Sequence, residues 1–246
     1  MSALLSTLLA SAGSSKLDWY LTRSTGAMAL LLLSASLALG VADLKRLSTP
    51  RWPRFVVDSL HRSVSLLALV FLVLHILTAV LDGFAPISLD AAVVPFVSSY
   101  RAFWLGLGAV ACDLLLALTI TSVLRRHIGH AAWRATHWLA YACWPIALLH
   151  SLGTGSDVQS SWLLVLAAAC LALVFAAVLV RALSGRSAAN ARGRRAAIGV
   201  VAAFTLGLLL WLPGGPLGSE WARRSGTPAA LLGHTRASSQ ASGGGR

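Results

Sequence analysis

Residues 61–75 read HRSVSLLALVFLVLH, an apolar run closed at both ends by histidine, with thirteen residues between the two. The run belongs to a longer apolar segment, 56–81. That segment exceeds the roughly 20 residues a helix needs to cross a bilayer. An ionisable side chain inside such a helix is costly and marks a functional position by default. Further along, HWLAYACWPIALLH places His137 and His150 with twelve residues between them. At about 1.5 Å rise per residue, each pair spans roughly 20 Å along its helix. Each helix therefore carries one imidazole toward each membrane face. One such histidine would be explained by a bond to a backbone carbonyl. Four of them, two per helix at matching depths, predict pairing across helices: His61 with His137, and His75 with His150.

The rest of the chain supports a membrane setting. Of 246 residues, 57% are hydrophobic and only 11% charged, against about 25% charged in a soluble domain. Six apolar runs are legible, at 19–41, 56–81, 103–123, 133–152, 162–180 and 196–212. Backbone groups in lipid must be satisfied within the segment, so unbroken runs of this length are helices and exclude a transmembrane barrel. The expected fold class is an all-α integral membrane protein, a six-helix transmembrane bundle. Its divisions are an N-terminal surface segment at 1–16, a core domain at 17–182, a basic loop with the sixth span at 183–212, and a flexible tail at 213–246. No basic residue precedes the short apolar run at the N-terminus, which argues against a cleaved signal peptide. Cys112, Cys143 and Cys170 fall within spans and read as small buried apolar residues.

The net charge of +12 does not point to nucleic acid, because of where it lies. Thirteen basic residues fall in the connections before the second span, after the third and after the fifth, against seven on the other side. By the positive-inside rule both termini are extracytoplasmic, and the basic loops face the cytoplasm and its anionic headgroups. His127 and His130 lie in a basic loop and His234 in the tail, where solvated histidine is the ordinary state.

Two imidazoles facing each other at one depth suit a six-coordinate haem iron, with one axial ligand from each helix. Cofactor sites between facing helices are a common solution in bundles. The expectation is two haems stacked across the bilayer between the second and fourth spans. Zinc or di-iron sites need carboxylate or thiolate help, and these helices offer only Asp58, near His61. Fourteen steps of about 100° return His75 to within about 40° of His61, whereas thirteen leave His150 about 140° from His137 on an ideal helix. Pro145 lies between those two and can kink or re-phase the helix. Haem propionates need cationic partners: Arg62 and Arg134 stand near one pair, Arg23 and Arg101 near the other, with Arg23 deepest. Snorkelling to headgroups is the competing role for each. Asp113 is a further charge within a span, open to a bundle hydrogen bond or a proton path. Gly26, Gly106 and Gly108 permit close approach of a helix or a macrocycle.

The His-x13-His and His-x12-His spacings, two spans apart, resemble those of the ferric reductase-like transmembrane domain superfamily. The flanking WYLTRSTGAMALLLLS, LTITSVLRRHIGHAAWRATHWLAY and LLHSLGTGSD are similar to its short bacterial members, including the haem-bearing membrane subunit of the methionine sulfoxide reductase system. The resemblance covers about residues 17–182. It implies that His61, His75, His137 and His150 ligate two b-type haems in a plasma-membrane oxidoreductase subunit. Larger members carry a soluble FAD and NADPH module, whereas no G-x-G-x-x-G opening a helix after a strand occurs here. The implied donor is therefore a separate flavoprotein carrying FMN or FAD, or the quinone pool. The implied acceptor is ferric iron, oxygen or an extracytoplasmic flavoprotein. The alternative reading is a non-redox membrane transporter or assembly protein, for which Pro145 and Asp113 are the features available. A two-haem cytochrome of the ascorbate-linked type would spread its ligands over four helices.

Overall fold

The computed structural model describes residues 16–44, 54–82, 85–155, 158–183 and 191–232. Most of the expected surface segment 1–16, the basic residues Lys45, Arg46, Arg51 and Arg186, and the tail from 233 with His234 lie outside them. Nine helices are described: α1 (Lys16–Leu44), α2 (Arg54–Leu81), α3 (Leu89–Val93), α4 (Ala102–Val123), α5 (Arg125–His137), α6 (Ala140–Thr154), α7 (Ser161–Leu183), α8 (Ala191–Gly214) and α9 (Trp221–Arg224). Five contain stretches long and apolar enough to cross a membrane: Leu17–Ala42, Phe55–Leu81, Ala102–Val123, Ser161–Leu183 and Arg195–Gly214. The chain is an integral, multi-pass membrane protein. On α2 the side chains of Leu66, Leu67, Val70, Val73, Leu74 and Leu77 are exposed. Acyl chains are as apolar as leucine, so this face needs no protein cover in a bilayer.

The expected fourth span differs from the sequence reading. Run 133–152 is not one helix but the end of α5 and most of α6, joined through Trp138 and Leu139. Both residues keep right-handed helical dihedrals, with φ of −62° at each. Their hydrogen bonds tighten instead: Leu139 N–H donates to the Thr136 carbonyl and Tyr141 N–H to that of Trp138, three residues back. Pro145, which has no N–H to give the Tyr141 carbonyl, lies further along, past a regular bond from Cys143 N–H to the Leu139 carbonyl. A turn of 3₁₀ type advances about 120° per residue rather than about 100°. That overwinding acts in the direction needed to bring His150 back toward the face of His137.

α1 packs closely along α2, α4 packs on α6, and α1 joins the two pairs by contacts with α6 and α7. α8 leans on α7 at the edge. The main core lies where α1, α6, α7 and α8 meet, around Leu30, Trp144, Leu148, Leu152, Cys170 and Leu208. Its polar atoms are satisfied locally. Trp144 Nε1–H donates to Ser34 Oγ at 2.8 Å, and Ser34 Oγ–H donates to the Leu30 carbonyl one turn back at 2.7 Å. All three cysteines are buried and unpaired, as their positions within spans imply.

Residues 213–232, expected to begin a flexible tail, are folded onto the bundle. After α8 the chain turns back and buries Trp221, whose ring meets those of Trp104 and Trp211 with centroids 5.1 and 5.6 Å away. Trp221 Nε1–H donates to the Gly153 carbonyl. The tryptophans override the local Gly and Pro content, because burying large aromatic surfaces outweighs the entropy of ordering a short segment.

Candidate cofactor site

The four intramembrane histidines meet in two pairs, and the pairs are those that depth implies. His61 on α2 and His137 at the end of α5 have ring centroids 6.4 Å apart with planes at 77°. His75 on α2 and His150 on α6 have centroids 6.3 Å apart, also at 77°. An imidazole–metal–imidazole axis has two bonds of about 2 Å and about 1 Å more from each donor nitrogen to its ring centre, so it spans about 6 Å. Both pairs stand at that separation.

Three of the rings are held from behind in one repeated way. His75 Nδ1 lies 2.8 Å from the Thr22 carbonyl, His61 Nδ1 2.9 Å from the Ser36 carbonyl, and His150 Nδ1 2.9 Å from the Trp104 carbonyl. A carbonyl can only accept, so Nδ1 carries the proton and Nε2 keeps its lone pair. This is the arrangement by which metal-binding histidines are fixed in tautomer and orientation. Each carbonyl uses its second lone pair for the purpose, the first serving the helix.

A glycine four residues after each carbonyl makes room for the ring. A Cβ on Gly26 would stand 2.9 Å from His75, one on Gly40 3.3 Å from His61, and one on Gly108 2.5 Å from His150. Gly26 and Gly108 are legible in the sequence as points of close approach. Gly40 has no separate signal there, except that it lies fourteen residues beyond Gly26, matching the step from His61 to His75. Gly106 serves a different contact, beneath Phe96, whose own φ of 69° is left-handed.

His137 departs from the pattern. Its Nδ1 is buried with no hydrogen-bond partner. Its ring instead stacks on Trp133, with centroids 4.9 Å apart and planes at 27°. The Arg125 guanidinium lies over the same Trp133 ring, 4.3 Å from its centroid.

A cavity of about 270 Å³ opens at the His75–His150 level, lined among others by both rings, Gly26, Gly108, Arg23 and Asp82. It reaches inward as far as Cys112, Leu115 and Cys143 near the middle of the bundle. The Arg23 guanidinium rests 3.4 Å from the Trp19 ring centroid at its mouth. Asp82, just past the end of the membrane stretch of α2, has its carboxyl pushed above the ordinary range by burial and by repulsion from Asp18, with Arg23 opposing.

The other arginines named from sequence make contacts of their own. Arg101 is buried with a left-handed φ of 43°. Its guanidinium donates to the carbonyls of Gly153 and Thr154 and to Thr227 Oγ1, at 3.0–3.1 Å. It ties the C-terminal segment to the end of α6. Arg62 follows His61 in sequence but points away, in an exposed ion pair with Asp58 at 2.7 Å. Arg134 is exposed. Among the described residues no group of three or more His, Cys, Asp or Glu side chains converges.

Residues 25–151 match the family described as ferric reductase like transmembrane component. The chain belongs to that family. No curated protein and no solved structure matches it. The matched segment runs from the glycine-bearing part of α1 into the last turn of α6 and contains all four paired histidines.

Proposed function

We propose that this ferric reductase-like protein carries electrons across the membrane through two b-type haems, one held by His61 and His137, the other by His75 and His150. The observation that carries this reading is the pair of ring separations, 6.4 and 6.3 Å, each suited to one metal between two imidazoles. The residues fit the group in three further respects. Carbonyl-bonded Nδ1 protons leave Nε2 available on three rings. Glycines stand where a side chain would drive the rings out of place. The cavity at the His75–His150 level has apolar walls and a cation, Arg23, at its mouth.

Bound there, haem iron supplies a one-electron centre whose potential is tuned by its ligands and their hydrogen bonds. The protein's part is to hold both sites at fixed depth. Along α2 the fourteen residues from His61 to His75 separate the two levels by about 21 Å. The carbonyls of Thr22, Ser36 and Trp104 orient three ligands, so little reorganisation accompanies a change of charge. Buried apolar residues between the levels, Cys143 among them, make that part of the bundle a low-dielectric medium. Arg23 is the propionate partner at the cavity mouth, where it competes with its own stacking on Trp19. Electrons enter from a separate flavoprotein carrying FMN or FAD, or from quinone, and leave to an acceptor across the membrane, a ferric or flavin group on the extracytoplasmic side.

Reduced-minus-oxidised spectra of the purified chain test this. The reading requires a low-spin b-type signature with about two haems per chain. A folded protein that takes up no haem would overturn it.

A further inference from the structure

The three held histidines obey a rule of position. The accepting carbonyl is at residue n and a glycine at n+4: Thr22 with Gly26, Ser36 with Gly40, Trp104 with Gly108. On α1 the two sets are fourteen residues apart, as His61 and His75 are on the facing helix. On α4 the set fourteen residues beyond Trp104 and Gly108 is Leu118 and Ser122. The fourth glycine is a serine. The Leu118 carbonyl is already engaged, accepting from Ser122 Oγ at 2.6 Å. Ser122 stands next to the histidine's support, for its Oγ accepts from Trp133 Nε1 at 3.3 Å, and Trp133 stacks on His137. His137 Nδ1 is the ring nitrogen left buried without a partner.

We infer that Ser122 is a positioning residue: its Cβ occupies the place that glycine leaves open at the other three sites and keeps the His137 ring off the Leu118 carbonyl. The inference rests on the haem reading proposed above. Its consequence is an asymmetry between the two haems. An Nδ1–H given to a carbonyl makes imidazole a more basic ligand, which favours ferric over ferrous iron. Lacking that bond, His137 is the weaker donor and the more loosely anchored one. The haem between His61 and His137 therefore has a higher potential than it would with a fourth glycine, and is released more readily.

The test uses the full-length, haem-loaded protein in detergent, with potentiometric titration of both haems and transfer of haem to a scavenger protein. The His61–His137 haem is identified by its absence in His61→Ala. Ser122→Gly is expected to move that transition to lower potential, leave the other in place, and slow release of that haem about tenfold, the lower end of the usual effect of such outer partners. Ser122→Ala keeps the Cβ and is expected to match the wild type. Gly40→Ser places a Cβ against His61, the other ligand of the same haem, and is expected to shift the same transition upward. Should Ser122→Gly fail to fold, Gly40→Ser and Ser122→Ala still decide the matter. Two bound haems with neither transition moved by Ser122→Gly or by Gly40→Ser would overturn the inference and leave the haem reading standing. A shift in Ser122→Ala equal to that in Ser122→Gly would also overturn it, since the hydroxyl and not the Cβ would be responsible. A chain that binds no haem would remove the inference together with the reading beneath it.

Discussion

Gly108 on α4 and His150 on α6 approach so closely that a single added carbon on the glycine would stand 2.5 Å from the imidazole. The contact lets His150 Nδ1–H reach the Trp104 carbonyl, and it makes the backbone of α4 part of the site. Gly108→Val should therefore act on the cofactor as well as on packing. Overpacking of this kind costs about 1–3 kcal/mol. The expected outcome is a chain that still inserts in the membrane but holds about one haem, the one retained being that of His61 and His137. Pyridine haemochrome content per chain checks it.

Arg101 should prove a structural residue. Its buried guanidinium satisfies two carbonyls and a hydroxyl, and its removal takes that donor from the Thr154 carbonyl and leaves the Gly153 carbonyl with Trp221 Nε1–H as its side-chain donor. An unsatisfied buried group costs about 1–3 kcal/mol, so Arg101→Ala should lose at least that much stability. Hydrogen exchange should rise at residues 221–228, the segment that Arg101 anchors through Thr227 and through its backbone bond to Gly226. Faster exchange elsewhere with protection unchanged there would count against the latch.

Arg62 provides a contrast. It pairs with Asp58 in an exposed i,i+4 arrangement, and such pairs contribute about 0.3–0.5 kcal/mol. Arg62→Ala should change neither haem content nor either potential, whereas Arg23→Ala should lower the potential of the His75–His150 haem by removing a nearby cation. Titration of the two variants side by side separates the two roles.

The mouth of the cavity should respond to pH through Asp82. Its carboxyl is raised by burial and by Asp18, so it loses its proton above the usual carboxylate range. Below that transition the group is neutral. As pH rises through it, a negative charge appears at the mouth and favours ferric iron. The potential of the His75–His150 haem should thus fall with rising pH across that window. Asp82→Asn should flatten the dependence, and an unchanged slope in that variant would exclude Asp82 as its source. For stability the sign is the same. A raised folded-state carboxyl contributes stability at low pH that is lost as pH rises toward its folded-state pKa.

What could be read from the sequence followed periodicities that hold for any regular helix. Fourteen residues returns a helix nearly to the same face, so His61 and His75 were legible as one stripe and the matching depths on the other helix gave the partners. The break at Trp138–Leu139 was not legible, because neither residue is a helix breaker. The tightening there is visible only in the hydrogen bonds. The contacts of the arginines were not legible for a related reason. Adjacency in sequence put Arg62 beside His61, but successive residues on a helix point about 100° apart. Arg101 sits in a turn whose direction depends on its left-handed backbone. The folded segment 213–232 was hidden because Gly and Pro dominate it locally, while the aromatic cluster that fixes it needs Trp104 from far away in the chain.

The pairing of ligands is the claim on which the rest depends, and the haem content of four single variants measures it directly. His61→Ala and His137→Ala should each lose the same one of two spectroscopically distinct haems, and His75→Ala and His150→Ala should each lose the other. If His61→Ala and His75→Ala behaved as one pair, or if the unaltered protein held no haem at all, the account would be wrong.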